Sequence, residues 1–344
     1  MTVFSQLSKS QKDRAREIYQ KCTVVDFLQA SEFTDEYFHK VTDIGVSVVN
    51  KTVVSDENLS NAVKIIADWG SRVTRNFDVA IDLFSMHDVL EAKRQHKVAY
   101  LRGFQNTLAL EGNVDLVNVF HRLGVYIIQL TYNERNLVGT GCGEKKDEGL
   151  SRFGVSLIDR MNSLNMMVDL SHVGDVTTTE AIEMARYPVI SHSNSRTICN
   201  NVRNKTDEQM KAVAEKDGVI GIVAFPAFVK WTKMEAGERP TILDVLDHVD
   251  YMVKLVGAKH VGVGLDLIEN AEEKEYLALV KRPDIWGKPN PQTKNPYAYA
   301  AGLETVSDLP NLAEGLVARG YSDNEIGNIL GENWLRILAR SIPQ

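Results

Sequence analysis

The 344-residue sequence lacks any unbroken apolar run of the roughly 20 residues that a bilayer-spanning helix needs. Its opening stretch, MTVFSQLSKSQKDRAREIYQK, is polar and helical in pattern. It has neither the apolar centre nor the small-residue cleavage site of a secretory signal. Positive charge is in short supply as well. Thirty-nine Lys and Arg against 46 Asp and Glu leave a net charge of −7, which argues against nucleic acid as the main partner. A local pocket can still differ in sign from the whole, so small anionic ligands stay admissible. The three cysteines, Cys22, Cys142 and Cys199, are too few and too scattered for a disulfide framework or a zinc knuckle. No short-period repeat or low-complexity tract is present. These absences predict a cytoplasmic protein that binds neither membrane nor nucleic acid.

What is present is alternation. Short β-rich runs occur at 23–29, 45–50, 98–104, 125–131, 166–172, 187–192, 218–225 and 260–266. Most are continuously apolar, as expected of parallel strands covered on both faces. Helical patterns lie between them, among them NLSNAVKIIADWGSRV, SRFGVSLIDRMNSLN and TILDVLDHVDYMVKLVG. Several begin at Ser, Thr or Asp and end near Gly or Asn. Eight β–α alternations in about 250 residues suit a (β/α)8 TIM barrel. A doubly wound sheet usually carries a glycine-rich phosphate loop after its first strand, and VVDFLQAS has none. The expectation is one α/β barrel domain over 1–344, with an N-terminal helical segment at about 1–20. The segment 280–302, VKRPDIWGKPNPQTKNPYAYAAG, holds four of the nine prolines and no clear element. It follows the eighth strand and reads as a lid or an interface arm, with a tolerated insertion as the alternative.

In such a barrel, polar residues at the C-terminal ends of strands face the active-site mouth. Those ends supply Leu28 and Ala30, then Gln105, then Tyr132, Asn133 and Asn136, then His172, His192 and Asp266. Taken singly, a strand-end histidine is most simply a hydrogen-bonded structural group. Two histidines and an aspartate on three strands of one barrel point to a shared site. Imidazole is a good zinc ligand, and a nearby carboxylate can act as general base.

The stretches VYIIQLTYNERN, GLSRFGVSLIDRMNSLNMMVDLSHVG, PVISHSNSR, DHVDYMVKLVGAKHVGVGLDL and GYSDNEIGNILGENWLRIL carry a resemblance. The sequence resembles the membrane dipeptidase (renal dipeptidase, peptidase M19) family of the amidohydrolase superfamily over nearly its whole length. The resemblance implies a (β/α)8 barrel, commonly a homodimer. It also implies a binuclear zinc site that hydrolyses dipeptides, including those with D-residues at the C-terminal position, and dehydropeptides. The family's two histidines of the second metal fall on His172 and His192, and its eighth-strand aspartate on Asp266. Its arginine for the substrate carboxylate falls on Arg203, which would otherwise read as a surface residue.

Other positions depart from the family. Asp26 survives, but Leu28 and Ala30 stand where the first metal's ligands belong, and neither can donate a lone pair. Gln105 replaces the bridging glutamate, and Tyr132 the substrate-binding histidine. Phe27 and Leu28 would make the vacated region apolar, able to hold part of a substrate. Three readings follow. One is a hydrolase with a single zinc or other divalent metal on His172, His192 and the Gln105 carbonyl oxygen. There Asp266 acts as base and Tyr132 as oxyanion donor, and Arg203 and Asn133 bind an amide or peptide-like substrate with a free carboxylate. The second is a metal-free enzyme using His172, His192 and Asp266 as acid–base groups for elimination, isomerisation, decarboxylation or condensation. The third is a non-catalytic binding homologue.

Overall fold

In a computed structural model of the chain, the described residues are 4, 6–229, 239–271, 281–287 and 299–344. Nine strands occur among them: β1 (Val24–Gln29), β2 (Val46–Val54), β3 (Ala80–Asp82), β4 (Val98–Phe104), β5 (Val125–Gln129), β6 (Met167–Asp169), β7 (Pro188–Val189), β8 (Ile220–Ile222) and β9 (Val261–Val263). All paired strands run parallel. One sheet follows the order β1-β2-β4-β5-β6-β7, and β8 pairs with β9. Single bridges, Ile190 to Ile220 and Gln29 to Leu267, join the two pieces on both sides. The result is the curled parallel sheet of an α/β barrel, with eight of the strands matching the eight apolar runs of the sequence.

The ninth strand, β3, went unread in the sequence. It is three residues long and pairs with the start of β4, too short to register as an apolar run.

The helices read from the sequence form over Leu59–Arg75, Leu116–Arg122, Arg152–Ser163, Asp175–Met184, Asp207–Glu215 and Ile242–Val256. Their starts follow from local chemistry. Asn58 and Ser151 accept backbone N–H groups at their helix N-termini, and Thr206 with Gln209 forms a capping box.

Alternation along the strands separates two apolar layers. Val98 and Tyr100 face outward, and the Tyr100 ring packs edge-on against Phe38 and Trp69. Ala99 and Leu101 face the barrel interior with Val25, Phe27, Val48, Ile127 and Met167. Trp334, from the helix Asn333–Ser341, joins that interior layer and donates its indole N–H to the Val263 carbonyl, 3.0 Å away. Gly262 leaves room for it, since a Cβ there would collide with the indole.

The expectation for Phe27 needs correction here. It does not line a substrate pocket. Its ring is fully buried and stacked on Trp334, with centroids 3.8 Å apart. Of the 280–302 segment, the described residues are 281–287 and 299–302, with a short helix at Pro283–Trp286. The remainder of that expectation lies outside the described residues.

Candidate active site

Strand ladders β6, β7 and β9 end at Asp169, Val189 and Val263, and His172, His192 and Asp266 each lie three residues further on. The side chains therefore sit on the turns leaving the strands, not on the strands themselves. All three are buried. Asp266 adopts a left-handed backbone (φ 57°), uncommon for a non-glycine residue and tolerated by aspartate. It is held there by its N–H on the Leu28 carbonyl (3.2 Å) and by the Tyr299 hydroxyl on its own carbonyl.

The two imidazoles meet edge to edge, with Nε2 atoms 2.9 Å apart. Their other nitrogens fix what those Nε2 atoms carry. His172 Nδ1 lies 2.8 Å from Asn133 Oδ1, an oxygen that only accepts. The Cys142 thiol donates to the same oxygen from 3.3 Å. His172 is therefore the Nδ1–H tautomer. On the other side, Ser191 Oγ lies 2.5 Å from Asp169 Oδ2 and 2.6 Å from His192 Nδ1. Ser171 donates to the second Asp169 oxygen at 2.7 Å. The Ser191 hydroxyl gives its proton to the carboxylate, so His192 Nδ1 must donate to Ser191 Oγ. Both Nε2 atoms are then bare and face one another. Burial first, and then the Arg203 charge, hold both imidazoles well below the usual histidine range. A proton shared between them is thereby disfavoured. An ideal tetrahedral zinc would hold two such nitrogens about 3.3 Å apart.

The remaining ligands of a two-metal site do not fit. Leu28 and Ala30 offer no donor atom. Gln105 gives its amide N–H to Thr52 Oγ1 at 2.8 Å, and its carbonyl oxygen makes no hydrogen bond to a described residue. Among the described residues no three His, Cys, Asp or Glu side chains group as metal ligands. The donor chemistry admits one cation on two nitrogens, with an amide oxygen as the only remaining candidate of the expected set.

Arg203 is fully buried, not the surface residue its local sequence suggests. Its Nη1 donates to the Ser171 carbonyl and, at 3.3 Å, to Ser193 Oγ; its Nη2 gives one N–H to the His192 carbonyl at 3.3 Å. The guanidinium stacks over Phe228, 4.9 Å from the ring centroid. Its Nε–H has no hydrogen-bond partner among the described residues. The Nε–H lies on the side-on face with which an arginine takes a carboxylate in two parallel bonds.

Asp266 complements it. No described residue hydrogen-bonds its carboxylate. Burial pushes its pKa up to about 7, the Arg203 charge opposes the shift, and the Asp26 carboxylate adds to it. Tyr132 stacks on His172, with centroids 4.2 Å apart at 21°, and its hydroxyl makes no hydrogen bond to a described residue. Burial raises its pKa, so it stays a neutral donor. Asn133, expected to contact substrate, instead commits its amide oxygen to His172 and Cys142.

Several contributors escaped the sequence reading. Asp169, Ser171 and Ser191 orient His192, and the acid inside the apolar run MMVDLSH was the available signal. Trp286 was another. Its ring centroid lies 6.1 Å from His172, 5.3 Å from Phe225 and 5.5 Å from Phe228. Arg282 on the Gly143 carbonyl (2.9 Å) and Asn201 on the Ile285 carbonyl (3.0 Å) pin this helix beside the site. His248 and His260 are both buried and bonded to backbone groups.

Residues 54–276 match the family described as membrane dipeptidase (peptidase family M19). The chain belongs to that family. The matched stretch begins after β1, so it leaves out Leu28 and Ala30. The chain is 30% identical over 254 residues to dipeptidase tcpJ of Claviceps purpurea, spanning 73% of this chain and 53% of that protein. It is 31% identical over 254 residues to dipeptidase verJ of Clonostachys rogersoniana, covering 73% and 57%. The chain thus spans about half the length of the curated relatives it matches. Among solved structures, it resembles an amidohydrolase from Pseudomonas aeruginosa at a TM-score of 0.86 and 33% identity, covering 95% of this chain and 98% of that one.

Proposed function

We propose that this dipeptidase-family chain is a hydrolase with at most one metal ion, cleaving an amide or peptide-like bond in a substrate that bears a free carboxylate. The buried Arg203 Nε–H carries this reading. An unmatched N–H in a dry site costs stability unless something accepts from it, and a substrate carboxylate would be that acceptor. Asp266 supports the same reading. A carboxyl group titrating near neutrality, with no hydrogen-bond partner among the described residues, suits a general base that takes a proton from attacking water and returns it to the leaving nitrogen. The Tyr132 hydroxyl, without a hydrogen bond to a described residue, would donate to the oxygen of the carbonyl under attack. His172 and His192 would hold a zinc or other divalent ion, with Gln105 Oε1 as the further donor. Such an ion polarises a carbonyl and makes water a better nucleophile. Assembly as a homodimer, common in the family, belongs to this proposal and is tested by molar mass in solution. No helix among the described residues is long and apolar enough to cross a membrane.

Metal analysis of the purified protein together with turnover of a dipeptide panel tests the reading. About one equivalent of metal, lost with activity in His172→Ala, is the expected result. No metal, with turnover still dependent on Asp266, would replace it with metal-free acid–base chemistry. Binding without turnover across the panel would make the chain a binding homologue.

A further inference from the structure

We infer that Asn133 is a positioning residue whose amide oxygen selects the tautomer of His172 and so keeps His172 Nε2 bare toward His192. The inference rests on the reading of His172 and His192 as ligands of one cation, and extends it to a residue that touches neither cation nor substrate.

The geometry of the loop after β5 is built around this contact. Asn133 has a left-handed backbone (φ 59°), which turns the chain sharply just past Tyr132. Its own carbonyl accepts the Gly143 N–H at 2.7 Å, so the loop closes on itself. Gly141 lies against the Asn133 backbone, where a side chain would have no room. The Cys142 N–H then reaches the His172 carbonyl at 2.9 Å, and Gly141 bridges to Val173. The loop is thus fastened to the His172 turn by backbone, and Asn133 Oδ1 is delivered 2.8 Å from His172 Nδ1. The thiol of Cys142 donates to the same oxygen and fixes which end of the amide faces the ring. An NH2 group there would meet the thiol as a second donor and would leave Nδ1 without its proton.

The consequence is specific. A neutral imidazole carries one proton on two nitrogens, and the nitrogen facing an acceptor keeps it. Fixing it on Nδ1 frees Nε2 as a lone-pair donor, as partners of metal-bound histidines commonly do. On His192 the same task falls to Ser191, backed by Asp169. The two sides therefore use different chemistry, an amide and a hydroxyl–carboxylate pair, for one result.

The test compares the full chain, freed of metal, with Asn133→Asp and Asn133→Gly. Aspartate keeps an acceptor-only oxygen and tolerates the left-handed backbone. Glycine removes the oxygen and adopts that backbone without strain. Long-range 1H–15N spectra of 15N-histidine-labelled protein read the tautomer directly, and titration with Zn2+ alone reads affinity. The expected result is Nδ1–H at His172 in the wild type and in Asn133→Asp. Asn133→Gly is expected to show Nε2–H or a mixture, with zinc affinity about 10–100-fold weaker. An Nε2–H tautomer in the wild type, or an unchanged Nδ1–H in Asn133→Gly, overturns the inference. The wild-type spectrum decides alone if the glycine variant does not fold. Wild-type Nδ1–H without zinc binding supports the role of Asn133 and removes the one-metal reading. Zinc binding with the wrong tautomer does the reverse.

Discussion

Replacing Asp266 by Asn should stabilise the protein at alkaline pH while abolishing its turnover. The carboxyl group is buried, accepts no hydrogen bond from a described residue, and is raised from 3.8 to about 7. A shift of roughly three units corresponds to about 4 kcal/mol of penalty on the charged form, an order-of-magnitude figure. The sign follows from proton counting. Between pH 4 and 7 the folded state keeps a proton that the unfolded state has lost, so stability falls as pH rises through that window. Below pH 4 both states are protonated and the group is neutral to stability. Above pH 7 both are ionised and the full penalty applies. An asparagine has no charge to bury and accepts the left-handed backbone at this position (φ 57°). Urea unfolding of wild type and Asp266→Asn at pH 4.5 and pH 8 reads the difference. The variant should gain on the order of 1–4 kcal/mol at pH 8 and little at pH 4.5. In the wild type, kcat/KM should rise about tenfold per pH unit below 7 and level off above it. A variant that gains nothing at pH 8, or that retains turnover, refutes the assignment of Asp266 as a destabilised base. Asp26 supplies the contrast. Burial also raises it to about 7, but its carboxylate accepts the Leu265 N–H at 3.0 Å and the Gln29 amide at 3.3 Å. Its replacement should therefore cost stability.

Two further outcomes are expected. Arg203→Lys should raise KM at least tenfold for dipeptides with a free C-terminal carboxylate and change little for the corresponding amides, because an ammonium lacks the two-pronged edge; equal losses on both substrate types would remove the clamp. Combining Leu28→His, Ala30→Asp and Gln105→Glu should raise bound metal above one equivalent and increase dipeptide hydrolysis, both measurable on one preparation; unchanged metal content would show that those positions do not border the site.

The site was only partly legible in the sequence. His172, His192 and Asp266 stood out because each closes a short apolar run. Arg203 did not, since its neighbours NNVRNKTDE look solvent-exposed and only the family resemblance singled it out. Asn133 was noticed, but as a substrate contact, because nothing local reveals that the chain turns back there and aims the amide at His172. The 280–302 segment was read as a lid or an arm without any sign that Trp286 would be its contact with the site.

By itself the sequence determined the alternation of strand and helix, the caps that start the helices, and the loss of donor atoms at Leu28 and Ala30. These are properties of neighbouring residues, set by periodicity, local hydrogen bonding and side-chain composition. Only the tertiary structure decided that two imidazoles meet with their Nε2 atoms 2.9 Å apart, that the Nε–H of a buried arginine has no partner among the described residues, and that Phe27 stacks on Trp334. Each of those depends on groups from separate strands or from opposite ends of the chain. Ring closure alone brings them within reach, and burial then makes every unmatched donor and acceptor count.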